Sequence, residues 1–80
     1  MYTLILHIAN QEAIKVDVEE IPKPTDQVII GINPRDRKDK DLVWVEEGVT
    51  TIIMPWWRLN YVQVLPGAEQ KDTFPELFRN

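Results

Sequence analysis

Hydrophobic and polar positions alternate with a period of two through most of this chain, which is the signature of β-strands. The alternation is cleanest in Ala13–Glu19, where Ile14, Val16 and Val18 share one face and Lys15, Asp17 and Glu19 the other. Tyr2–Ile8 predicts a strand before it, with Leu4, Leu6 and Ile8 opposite Thr3, Ile5 and His7. Asn10-Gln11-Glu12 is a polar break, so the two segments predict a hairpin. Pro22 and Pro24 interrupt the pattern, because proline donates no ladder hydrogen bond. A third strand is predicted over Asp26–Asn33, with Val28, Ile30 and Ile32 facing in and Ile29 on the far side next to Gly31. Asn33-Pro34 then opens a charged loop to Asp41. Leu42–Glu46 predicts a fourth strand and Glu47-Gly48 a tight turn.

The last strand-like stretch is the longest. Val49–Met54 and Trp57–Leu65 are rich in β-branched and aromatic residues, and Pro55 lies near their join. No polar loop separates them, so the chain turns a corner in a strongly bent sheet. The expected architecture is all-β: a small five-stranded, strongly bent sheet or half-open barrel of SH3, OB or Sm type over residues 1–66, followed by a C-terminal tail over 67–80. The expected core is Leu4, Leu6, Ile14, Val16, Val28, Ile30, Ile53, Leu59 and Val62. In the tail, Phe74, Leu77 and Phe78 have the spacing of one face of a single helical turn, which must dock to be ordered.

Composition narrows the function. Eighty residues make one domain that buries only about 60–65% of its unfolded surface. Domains this thin are usually reinforced by disulfides, a metal or self-association. The chain has no cysteine and one histidine, His7, so disulfides and a zinc site of the usual kind are excluded, and neither metal nor cofactor is expected. Self-association remains. No signal-peptide pattern occurs, and no apolar run approaches the ~20 residues that span a bilayer, so a cytoplasmic protein without membrane contact is expected. The net charge is −4. Arg35–Asp41 holds four basic and three acidic residues, leaving five basic and ten acidic elsewhere. An acidic body repels phosphate and disfavours nucleic acid as a partner.

Catalytic groups are scarce. There is no serine, and His7 is a lone base in a strand. The pairs Glu19-Glu20 and Glu46-Glu47 are sequence neighbours, so in a strand they point to opposite faces and cannot converge on one substrate atom. The three glycines are too scattered for a phosphate loop. The expectation is a protein that is not an enzyme. The tryptophans are better candidates. Trp56 and Trp57 are adjacent, so an extended backbone cannot bury both on one face. Trp44, Trp56, Trp57, Ile29, Phe74, Leu77 and Phe78 are therefore the candidate interface residues. Arg35, Arg37, Lys38, Arg58 and Tyr61 are the candidate nucleic-acid contacts of the competing view.

The segment Val49-Thr-Thr-Ile-Ile-Met-Pro55, with Tyr61-Val-Gln-Val-Leu65 after it, resembles the end of the fourth strand and the final strand of the Sm-like family, in its bacterial Hfq branch. The resemblance implies a ring-forming β-barrel. It does not carry over RNA binding, because Glu46-Glu47-Gly48 occupies the stretch where that branch has a Lys-His contact motif, and carboxylates cannot donate to RNA. The initial amphipathic helix of the family is also replaced here by a strand from Tyr2. The expected function is a non-catalytic small barrel that self-associates as a homo-oligomer and serves as an interaction or scaffold module. The alternative is a Sm- or OB-like binder of single-stranded nucleic acid.

Overall fold

The computed structural model describes residues 1–67. Five strands and one short turn of 3₁₀-helix form a single antiparallel sheet. They are β1 (Tyr2–Ile8), β2 (Ile14–Val18), β3 (Val28–Asp36), β4 (Thr51–Pro55), the 3₁₀ turn Trp56–Arg58, and β5 (Leu59–Val64). The spatial order is β4-β3-β2-β1-β5. The sheet is curled into a half-barrel, so β1 and β2 lie at its centre and β4 and β5 are its edges.

The hairpin of β1 and β2 follows the alternation. Leu4 pairs with Val16 and Leu6 with Ile14, and all four are essentially inaccessible to solvent. Ile8, Val18 and Ile29 complete the buried cluster, and Trp56, Leu59 and Val62 pack against it. Asn10, at φ 61°, takes the left-handed conformation that closes the hairpin.

β3 departs from expectation in its facing. Val28 and Ile30, expected inside, are exposed, and so is Ile53 opposite Ile30. Ile29 and Gly31 face in instead, and Ile29 is 2% exposed. The cause is steric. A Cβ built on Gly31 would lie 2.7 Å from Val16 Cβ, so β3 crosses β2 where only a glycine fits. Once Gly31 points inward, Ile29 must do so too. Ile29 is therefore a core residue and not an interface residue.

β3 also runs three residues beyond the predicted end. Lys15 pairs with Arg35 and Asp17 with Ile32: β2 advances two residues while β3 advances three. The extra residue is a bulge at Asn33-Pro34, where Asn33 has φ 53° and its N–H bonds to the Thr50 carbonyl at 2.7 Å. The bulge restores Arg35 to the outer face and tightens the curl.

Leu42–Glu46 is not a strand. It belongs to the long connection between β3 and β4, folded into turns by hydrogen bonds from Val45 N–H to Leu42 C=O and from Val49 N–H to Glu46 C=O. Carboxylates crowd both ends of this apolar run, and among the described residues no neighbouring strand offers it a ladder. Gly48 has φ 87°, as the expected tight turn requires. At the corner, Pro55 keeps an extended backbone, and Trp56 then begins the 3₁₀ turn with its N–H bonded to Gln27 C=O. The kink anticipated at Pro55 is thus one turn of helix, after which β5 pairs with β1.

Candidate interaction surface

Cross-strand pairing places rows of side chains across the outer, convex face of the sheet. One row runs Thr3, Asp17, Ile32, Thr51 across β1 to β4. A parallel pair, Ile30 and Ile53, is 57% and 66% exposed. Val28 opposite Pro55 extends this apolar strip along β3 and β4. At this end of β3 lies an open groove of about 400 Å³, lined by Val28, Ile30 and Ile32, by the core residues Val18 and Ile29, and by Glu19, Glu20 and Asp26. Its lining is mixed, apolar from β3 and acidic from the residues that follow β2.

The centre of the outer face is polar and already satisfied. Arg35 is held by Asp17 at 3.2 Å and by Asp39 at 3.4 Å, and it donates to the Asn33 carbonyl. Asp39 also accepts from Lys15 at 3.0 Å, and Thr3 donates to Asp17. Burial raises the Asp17 carboxyl, but hydrogen bonds from Arg35 and Thr3 and the guanidinium charge outweigh it, leaving its pKa below the ordinary 3.8. The Lys15 hydrogen bond lowers Asp39, and the Lys40 backbone N–H lowers Asp36. A depressed carboxylate adds stability above its unfolded pKa and loses it as pH falls through the folded pKa. Stability should therefore drop as the pH is taken below about 4. Asp17→Asn should flatten that part of the profile, measured by urea unfolding across pH 2–6. An identical slope in the variant would rule out this role for Asp17.

The aromatic candidates separate. Trp44 is 45% exposed in the turn that follows Val43, itself fully exposed. Trp56 is half-buried against the core, and its enclosed indole N–H has no acceptor among the described residues. Trp57 is 80% exposed, with the Arg58 guanidinium 5.8 Å from its ring centre. Tyr61 stacks on His7 with ring centres 4.0 Å apart, and His7 Nε2 lies 2.7 Å from Gln63 Oε1. This cluster was missed because it depends on β1–β5 register, which joins residues more than fifty positions apart and leaves no local signal. Phe74, Leu77 and Phe78 lie outside the described residues.

Of the nucleic-acid contacts, Arg35 is engaged by two carboxylates and Arg58 donates to Gln11 at 2.8 Å. Arg37 and Lys38 are exposed at the β3–β4 connection, while Tyr61 sits on β5 at the other edge of the sheet. The fold does not gather these five residues into one surface. Among the described residues no three His, Asp or Glu side chains are grouped to hold a metal ion, and no helix is long and apolar enough to cross a membrane. No family model, curated protein or solved structure matches the chain.

Proposed function

We propose that this chain is a non-catalytic interaction module that self-associates through the two edges of its sheet. The observation that carries the reading is the chemistry of those edges. β4 (Thr51-Ile-Ile-Met-Pro55) and β5 (Leu59-Asn-Tyr-Val-Gln-Val64) contain no charged residue. Natural sheets blunt free edges with lysine, proline, bulges or a covering element, because open N–H and C=O groups recruit further strands. Here, among the described residues, Pro55 at the very end of β4 and a bulge at Asn60 near the start of β5 serve that purpose, and the rest of both edges is left unblunted. Exposed Ile53 adds an apolar flank to the β4 edge.

The two edges lie at opposite ends of the strand order. A β4-to-β5 contact between copies is therefore head-to-tail, and it closes into a ring when the rotation per copy permits. The resemblance of Val49–Leu65 to ring-forming Sm-like barrels supports the same reading. Light scattering at about 100 μM, well above the range of weak specific contacts, should give a mass several times the monomer's 9.4 kDa. Ile53→Lys puts a charge beside the β4 edge at an exposed position and should return the mass to that of the monomer. A wild-type chain that stays monomeric at that concentration defeats the proposal.

One observation favours a second reading. Trp57 stands in solvent beside Arg58, an arrangement on which a base can stack. A single-strand nucleic-acid binder should show tryptophan quenching by oligonucleotide that weakens with salt. The edge-association reading expects no quenching.

A further inference from the structure

We propose that Leu42–Val45 is a docking strand: it adds itself to the open edge of a partner protein's β-sheet, an edge bordered by lysine or arginine side chains. This goes beyond self-association and does not depend on it.

The run has the residues of a strand and the surroundings of none. In Leu42-Val43-Trp44-Val45 every residue is apolar, and all but the first are β-branched or aromatic. Val43 is fully exposed and Trp44 is 45% exposed, while Leu42 packs on the core and tethers the run to the body. Among the described residues, the backbone N–H and C=O groups of Val43 and Trp44 meet no other backbone group. The bond that bends the run, from Val45 N–H to Leu42 C=O, is long at 3.3 Å. Donors, acceptors and apolar side chains thus stand open together, which is what a strand brings when it extends a sheet.

The connection has the length to present them. It runs from Arg37 to Thr50, where about two to five residues join most antiparallel neighbours. Both ends of its free part are fixed by backbone hydrogen bonds, Lys40 to Asp36 and Thr50 to Asn33. Asn33 and Asp36 lie about 10 Å apart along β3, whereas the chain from Asp41 to Val49 extends to about 30 Å. The surplus lets Val43–Glu46 straighten without pulling on β3 or β4.

Charge selects the partner. The basic residues of the connection, Arg37, Lys38 and Lys40, lie in the tip that Asp36 closes, its carboxylate accepting from the N–H groups of Lys38 and Lys40. Asp39 in the same tip is held by Lys15 and Arg35. From Asp41 to Val49 the charged residues are Asp41, Glu46 and Glu47, all acidic, and none forms a salt bridge among the described residues. A basic rim complements them. The sheet of a second copy does not, since β4 and β5 contain no charged residue and the chain carries a net charge of −4.

Two monomeric designed sheet proteins serve as probes, identical except that the open edge strand is bordered by lysines in one and by glutamates in the other. The wild-type chain should bind the lysine form at least about tenfold more tightly in titration calorimetry. Backbone amides of alternate residues, Val43 and Val45 or Trp44 and Glu46, should exchange with deuterium at least about tenfold more slowly in that complex. Glu46→Gln/Glu47→Gln should lose the preference for lysine. Val43→Pro/Trp44→Pro, at two exposed positions, should lose binding. Ile53→Lys, which blocks edge association, should bind as the wild type does. No binding to the lysine form, equal binding to both forms, loss of binding in Ile53→Lys, or protection on β4 or β5 in place of the run would each overturn the proposal. Protection of the run in the chain alone, rising with its own concentration, would put a second copy in the partner's place and overturn it as well.

Discussion

Gly31→Ala is expected to unfold the protein or leave it barely stable. The new methyl would sit 2.7 Å from Val16 Cβ and 2.8 and 2.9 Å from its two methyls, all closer than real carbon atoms approach. Val16 is completely buried at the centre of the sheet, so it has nowhere to move. Overpacking of this kind costs about 1–3 kcal/mol where the surroundings can yield, and more where they cannot. A domain of eighty residues has about 4–12 kcal/mol in total. Val16→Ala in the same chain removes the two methyl clashes but leaves the Cβ, so it should recover part of the loss. Val16→Gly should relieve all three clashes while opening a cavity of its own. Urea midpoints of the single and double variants test the geometry. A Gly31→Ala midpoint equal to wild type would place β3 further from β2 than described.

The second large effect separates neighbours on one strand. Ile29→Ala should cost about 2–5 kcal/mol, the usual range for deleting a buried isoleucine side chain, since Ile29 is 2% exposed. Ile30→Ala should cost about 0.5 kcal/mol or less, as surface changes do, because Ile30 is 57% exposed. The pair of chemical-denaturation midpoints is decisive: the reverse order would mean that β3 is turned over.

That reversal shows where the sequence was and was not legible. β1 and β2 could be read directly, since Lys15, Asp17 and Glu19 can only face water and so fix the inward set. β3 has no such polar markers among its first five residues. Val28, Ile30 and Ile32 outnumber Ile29, and counting apolar residues chose the wrong face. The deciding residue was Gly31, whose meaning depends on Val16 in another strand. Leu42–Glu46 departs from its pattern for a related reason: Leu42-Val43-Trp44-Val45 has strand propensity, but propensity forms no strand without a partner edge. The all-β class, the half-barrel, the turn at Gly48 and the corner at Pro55 were all visible locally. The outer strip was visible as residues but was assigned to the interior, and the His7–Tyr61 stack was invisible because it is a product of long-range register.

The pairing of Leu4 with Val64 also sets the order in which this molecule can come together during synthesis. Of the five strands β1 is synthesised first, and β2 can join it almost at once. Its other flank waits sixty residues for Val64. At elongation rates of about 5–20 residues per second that interval is roughly 3–12 s. Throughout it β1 has only β2 beside it, with β3 and β4 added on the far side as they emerge, and its other flank stays open. Such non-local closure also makes refolding slow, in the millisecond-to-second range typical of barrels of this kind. A nascent chain stalled before β5 is thus the state most exposed to chaperones and to mispairing. The last strand therefore acts as a timing element, marking the moment at which the nascent chain can become a finished domain.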